Sequence, residues 1–515
     1  MASRWNPGAP AGRGPTTEKR PAAPDRVLGL PYKYVALSVT TVGALMFAID
    51  STIVILAFPP MMADLHASLV SLIWVLMAYS LTSTVALLTF GRLADMFGRV
   101  RMYNLGFVVF TVGSALCGLS VTDLQLIACR VIQGLGGAML LANSMAIITE
   151  AFPSEERGRA MGINSVVWAI GSIAGPLLGG VILAGASWRW VFLVNVPIGV
   201  VATLAALLLL RDISTRSKGE RFDAAGASLF SLSLGALLLA LNQGIALGWT
   251  SPVILGLLAL WIAGAAAFYY RSRRAEHPVL DFRLFANRVF TAAVATATMQ
   301  ALAVFAVNLL IVYYLEVVQD QAPLAAAFAL VPLSIVNSLM GPIGGTLSDR
   351  LGSRRPVALG LLAQGAGLVV LSTLQVDSSY LHVVLGLLMV GVGSGLFWAP
   401  STSAAMGAAP LNRLGVAAAT LATWRNTGQV VSYALSLAIA AAAVPPDVQT
   451  RLFLGQAVHL SGAVATDFVN GMHATFHLSI VICLVTAVGW WLAAADADRQ
   501  RPRRGLAQVG PIGRD

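Results

Sequence analysis

The sequence predicts an all-α membrane protein of about fourteen transmembrane helices, arranged as two six-helix bundles with an inserted two-helix hairpin. Three observations predict it. Hydrophobic residues make up 57% of the 515 and charged residues 11%, with a mean hydropathy of +0.78, which is more apolar surface than water-facing domains can bury. A loop signature, G-x-L-x-D-x-x-G-x-x-R, occurs twice: Gly91, Leu93, Asp95, Gly98 and Arg101 recur as Gly345, Leu347, Asp349, Gly352 and Arg355. Each copy sits between two long apolar runs, so the chain is internally duplicated. Of the 33 Lys and Arg residues, all but Arg130, Arg189, Arg425 and Arg451 fall in the two tails or in alternate loops. The cytoplasmic excess of basic residues then places both termini in the cytoplasm of a multi-pass cell (inner) membrane protein.

Apolar runs of about 20 residues place the first six helices near 34–58, 70–90, 102–120, 124–149, 160–184 and 190–210. Two more fall near 224–243 and 253–270, and a second six near 289–315, 325–347, 356–375, 381–406, 415–443 and 470–494. The charge rule fixes an even number of spans without separating twelve from fourteen. Repeat spacing separates them: Gly91 to Gly345 exceeds by about 54 residues what six spans of roughly 33 residues each require, and the pair at 224–270 accounts for the surplus. The organisation is therefore a disordered cytoplasmic tail (1–30), a first bundle (31–211), a linker carrying two extra helices (212–275), a second bundle (276–495) and a second tail (496–515). Residues 444–469 form the longest outside loop and are expected to be partly structured.

Several chemistries are excluded. Lys19, Lys33 and Lys218 are the only lysines and none lies in a phosphate-binding G-x-x-x-x-G-K-[ST], so energy comes from a gradient and not from ATP bound by this chain. The net charge of +10 lies in short loops between apolar runs, which argues for topology and against nucleic acid. Cys117, Cys129 and Cys483 lack metal-ligand spacing and read as free buried thiols; no metal and no cofactor is expected. His473 and His477 stand one helical turn apart, but without a further ligand they read as helix-end packing. Catalysis would need polar loops, and these loops are short and basic.

Polar groups inside helices carry more information, because a charged side chain at the bilayer centre costs roughly 2.5–3.5 kcal/mol and faces a cavity or a partner. Asp50 lies about sixteen residues into its helix, roughly 24 Å from the start, too deep for a short side chain to reach cytoplasmic water. It reads as a protonatable or paired functional carboxylate. Arg130 opens the fourth helix, followed by Gln133 and Gly134, and either faces inward or snorkels outward. Arg425 reads as snorkelling to the interface.

These residues carry a resemblance. AIDSTIVILAFPPM, with Asp50, Thr52, Val54, Ala57 and Pro59, is similar to the first-helix signature of the fourteen-helix drug:proton antiporter family of the major facilitator superfamily. GRLADMFGRVR resembles the superfamily loop signature, RVIQGLGGA the fourth-helix signature, and GSIAGPLLGG the fifth-helix antiporter signature. Met96 stands where the family carries a basic residue and Glu316 where it commonly has Gln; Glu316 reads as an interfacial carboxylate or a second titrating group.

The resemblance implies the major facilitator fold and multidrug efflux: export of lipophilic or amphipathic small molecules in exchange for protons, by a monomer in the lipid bilayer. A dedicated exporter of one metabolite, siderophore, antibiotic or lipid would look the same, and a membrane-bound transferase is a distant alternative. The first and fourth helices of such transporters face the central cavity, so Asp50 and Arg130 would share one wall and couple transport to protons. Gln133, Trp168, Asn308, Tyr313 and Trp398 are candidates to line the cavity, as are the aromatic rings of Trp74, Tyr79, Phe305 and Phe397. Gly171, Gly175, Gly179 and Gly180 would let helices approach closely, and Pro176 favours a bend. Asp95 can accept from amides at a helix N-terminus and pair with Arg99, Arg157 or Arg159, helping to hold the halves together; Gly91 and Gly98 shape that loop, and Gly345, Asp349 and Gly352 repeat it.

Overall fold

The computed structural model describes residues 26–213, 220–321, 323–442, 460 and 462–500. Its fourteen long helices are α1 (Tyr32–Leu65), α2 (Leu69–Phe97), α3 (Arg99–Gly118), α4 (Asp123–Ala151), α5 (Arg157–Gly185), α6 (Trp190–Leu209), α7 (Ala224–Leu247), α8 (Pro252–Arg274), α9 (Arg288–Val318), α10 (Val331–Leu351), α11 (Arg354–Leu371), α12 (Tyr380–Ala408), α13 (Leu414–Ala442) and α14 (Gly462–Gln500). Twelve are long and apolar enough to cross a membrane. The other two, α10 and α13, are rich in small and polar residues because they pack against the opposite half of the molecule. Helices that face other helices need less apolar surface than those facing lipid.

The duplication read from the loop signature is visible in the packing. In the first bundle α3 packs on α4 and α6, α2 on α4, and α1 on α5; in the second, α11 packs on α12 and α14, α10 on α12, and α9 on α13. The two halves meet along two equivalent seams, α2 against α13 and α5 against α10. Helices α7 and α8 pack on each other and stand outside both bundles: α7 touches α2 and α13, while α8 is the least buried of the candidate spans. The hairpin is clasped at its base, where Asp223 caps α7 by accepting from the Gly226 amide (3.0 Å) and pairs with Arg271 of α8 (2.9 Å).

Some expectations are corrected at the ends. Residues 26–31 form a two-stranded hairpin, β1 (Arg26–Val27) with β2 (Leu30–Pro31), where the sequence suggested tail; Gly29 turns the chain with φ +76°. Residues 1–25, 501–515 and most of 444–469 lie outside the described residues. Helix α14 starts at Gly462, inside the segment read as loop, and runs to Gln500. Helix α1 runs past residue 58 because the tight turn over Val54–Ala57 delivers Pro59 and Pro60 to the first turn of a new helical segment, where a missing amide costs nothing.

Candidate functional site

Asp50 and Arg130 meet. Both side chains are fully buried, with Arg130 Nη1 donating to Asp50 Oδ2 at 2.6 Å. The second carboxylate oxygen accepts from Gln133 Nε2 (2.8 Å) and Asn195 Nδ2 (3.3 Å), and Ser114 Oγ accepts from both amides (3.1 and 3.2 Å). Arg130 also donates to the Val75 carbonyl (3.2 Å) and to Gln133 Oε1 (2.7 Å), and its guanidinium lies 4.1 Å from the centre of the Tyr79 ring. Four helices, α1, α3, α4 and α6, thus enclose one carboxylate. An ion pair without water is stable only when its remaining donors and acceptors are filled, and this cage fills most of them.

This corrects the expected open wall. Asp50 and Gln133 are sealed inside the first bundle, and Gln133 is a ligand of the carboxylate and not a lining residue. Arg130 does not snorkel. Ser114 and Asn195 went unrecognised in the sequence, although Asn195 lies in the apolar run VFLVNVPIG and was open to the argument that singled out Asp50.

Three of the four signature glycines of α5 press that helix onto α1 beside this cage. A methyl on Gly171 would meet Ala48 Cβ at 2.5 Å, on Gly175 the Ile49 carbonyl at 3.0 Å, and on Gly179 the Ile53 side chain at 3.1 Å. Gly180 is a correction: a methyl added there would meet nothing within 4 Å, because it shares the exposed face of α5 with Pro176. The spacing of 171, 175 and 179 keeps one face; 180 leaves it.

At the other end of the molecule, the two loop signatures make crossed contacts between the halves. Asp95 accepts from the amides of Gly415 and Val416 at the start of α13, each at 2.9 Å. Asp349 accepts from the amides of Gly158 and Arg159 at the start of α5, each at 2.8 Å. Each carboxylate therefore sits at a helix N-terminus of the opposite half, where free amides and the helix dipole favour an anion. Gly91 and Gly345 permit the approach: a methyl on Gly91 would meet Ala419 Cβ at 2.6 Å, and one on Gly345 would run into the Gly158 carbonyl. Gly98 and Gly352 end their helices at φ +106° and +83° with extended ψ of 133° and 164°, a region that glycine, lacking a Cβ, enters readily.

Arg99 is the basic partner of Asp95 (2.6 Å), and it also pairs with Glu150 and donates to the Leu411 carbonyl across the seam (2.8 Å). Arg159 meets the repeat's carboxylate, Asp349, through its backbone amide. One bridge was not foreseen: Glu220, in the linker before α7, pairs with Arg92 of α2 and with Arg413 before α13 (2.9 Å), so the linker ties both halves.

The expected lining residues are spread over both halves. Trp168 is partly buried and tilted against Phe47 at 5.5 Å; Asn308 and Tyr313 are partly buried on α9; and Trp398 is partly buried on α12 beside Phe397. Arg425 does not snorkel. It stands eleven residues into α13, about 16 Å from the start of that helix, with its guanidinium 5.0 Å from the centre of the Trp398 ring. His473 is engaged with the Leu374 carbonyl (2.7 Å), and Glu316 is partly buried in the wide final turn of α9.

Comparison with known proteins places this arrangement. The family description Major Facilitator Superfamily matches residues 40–433. The chain belongs to the Major Facilitator Superfamily. It is 33% identical to the Multidrug resistance protein Stp of Mycobacterium tuberculosis over 81% of this chain and 77% of that protein. It is 32% identical to the Riboflavin transporter RibZ of Clostridioides difficile over 79% of this chain and 87% of that protein. The solved structure of the proton:xylose symporter XylE superposes with a TM-score of 0.60 at 13% identity, covering 87% of this chain and 94% of that one, which establishes the shared fold. The chain is therefore a multi-pass secondary transporter of the superfamily and not an enzyme.

Proposed function

We propose that this transporter exports lipophilic or amphipathic compounds in exchange for protons, with Asp50 as the coupling carboxylate. The observation that carries the reading is the sealed Asp50–Arg130 pair, a single carboxylate deep in the first bundle whose proton affinity changes whenever helix movement rearranges its cage. A proton entering from outside neutralises Asp50 and frees Arg130; its release inward restores the pair. Inward proton movement yields about 2.3 kcal/mol per charge per 100 mV of membrane potential, enough to drive a solute outward against a modest gradient. Relatives named as multidrug resistance proteins support the direction and breadth of transport. The similarity to a riboflavin transporter favours, as second reading, a dedicated carrier of one compound.

In this reading the basic end is cytoplasmic, the crossed contacts of Asp95 and Asp349 close the transporter to the cytoplasm, and the protein works as a monomer with units at 31–211 and 276–495. Purified protein in vesicles should move a lipophilic dye only when a pH gradient is imposed, and should acidify or alkalinise the lumen in step with dye. Dye movement that ignores the pH gradient would remove proton coupling from the proposal.

The topology has its own test. Gly248, at the turn between α7 and α8 where an added Cβ would meet nothing within 4 Å, lies at the opposite end of the hairpin from the basic segments. In a background lacking Cys117, Cys129 and Cys483, Gly248→Cys should react with an impermeant thiol reagent added outside intact cells. Labelling only after the membrane is opened would invert the assignment.

A further inference from the structure

The molecule contains a second membrane-buried arginine mounted like the first but without its anion. Arg130 and Arg425 each rest on an aromatic face, Tyr79 and Trp398 respectively. Arg130 is neutralised by Asp50. Arg425 has no carboxylate within 4 Å and no hydrogen-bond acceptor among the described residues, yet a guanidinium offers five donors and keeps its charge at any physiological pH.

Its surroundings show which way it faces. Arg425, Gln429 and Tyr433 follow at i, i+4 and i+8 on one face of α13, and all three are partly exposed. Gln429 points along the stripe to the Tyr433 hydroxyl (3.4 Å), and Tyr433 meets the Phe305 edge of α9. The neighbouring Asn426 donates to Thr84 of α2, in the other half, at 3.2 Å. A polar stripe beside an inter-half contact, at mid-membrane depth, faces the cleft between the halves, because lipid would leave its donors unsatisfied.

We propose that Arg425, held by Trp398, is the recognition site for an anionic group on the transported compound, and that the substrate class is planar aromatic compounds bearing a carboxylate or a comparable oxyanion. The two-pronged guanidinium matches such a group with parallel hydrogen bonds. The flanking rings of Trp398, Tyr433 and Phe305 suit an aromatic body. The anion that Arg425 lacks in the protein is supplied by the cargo. This rests on the reading of the chain as an exporter of amphipathic compounds and narrows it.

Two planar dyes of opposite charge, 5-carboxyfluorescein and ethidium, test it by fluorescence anisotropy with purified full-length protein and no pH gradient. The wild type should bind 5-carboxyfluorescein more tightly. Arg425→Gln should weaken that binding about tenfold or more, the scale of losing a charge-assisted pair, and leave ethidium unchanged. Arg425→Lys, which keeps the charge without the fork, should fall between, and it carries the test if Arg425→Gln does not fold. Absence of 5-carboxyfluorescein binding to the wild type, equal weakening of both dyes, or no change in either would overturn the assignment. Because binding is read without a gradient, loss of proton coupling elsewhere leaves this result standing, and the reverse holds too.

Discussion

Asp50→Asn is expected to abolish the response of transport to an imposed pH gradient while the protein remains folded in the membrane. The substitution keeps the shape of the side chain and one oxygen to accept from Gln133 or Arg130, but it removes the only carboxylate in the cage. Stability should fall, because removing one member of a buried ion pair costs about 3–5 kcal/mol where nothing else meets the remaining charge. Here Arg130 retains the Val75 carbonyl, the Gln133 oxygen and the Tyr79 face, so the loss should be smaller and the protein recoverable. The measurement is dye flux in vesicles at matched protein content, with and without a pH step. Wild-type gradient dependence in the variant would remove Asp50 from proton coupling.

The cage illustrates what a sequence conveys about a site. Asp50 was legible because a carboxylate deep in an apolar run has few bland explanations. Its pairing with Arg130 was not, because the two residues lie on different helices and nothing in spacing along the chain gives a distance between helices. Asn195 and Ser114 were harder still: neutral polar side chains are common in membrane helices, and only the packing of α3 onto α4 and of α6 onto α3 shows that Asn195 reaches the carboxylate while Ser114 accepts from the Gln133 and Asn195 amides. Arg425 was misread for the same reason. Depth is readable from position in a helix, but whether a long side chain reaches the interface or stacks on a neighbour depends on what that neighbour is, here Trp398.

Fold was more legible than site. Helix positions follow from apolar runs whose length is set by the bilayer, and the repeated loop signature located the inserted pair because it measures the chain against itself. Helices α10 and α13 show the limit of hydropathy: apolar runs place them near 325–347 and 415–443, yet their polar and small residues form the seam and neither is among the twelve helices apolar enough to cross a membrane by composition. What neither pattern showed is the cross-over at the basic end, where each signature loop serves the other half.

That cross-over sets the second large effect. The amides that Asp95 and Asp349 hold belong to the opposite half, so these bonds exist only while the basic end is closed. A group that binds one conformation shifts the equilibrium by the free energy it contributes there alone. Asparagine at either position offers one neutral oxygen to two amides, losing a charge-assisted contact of about 1.5–3 kcal/mol. Asp95→Asn or Asp349→Asn should therefore reduce the closed-to-open ratio about tenfold or more, and the double variant about a hundredfold if the two seams act independently. Turnover should slow accordingly, with dye affinity little changed, because no binding residue has been touched. Hydrogen exchange checks the cause: protection should drop at Gly415 and Val416 in Asp95→Asn, and at Gly158 and Arg159 in Asp349→Asn. Wild-type turnover together with unchanged protection in the double variant would show that these carboxylate contacts do not set the closed state. If protection instead falls at one seam only in the double variant, the two contacts are not equivalent and the duplication has kept its sequence without its symmetry of function.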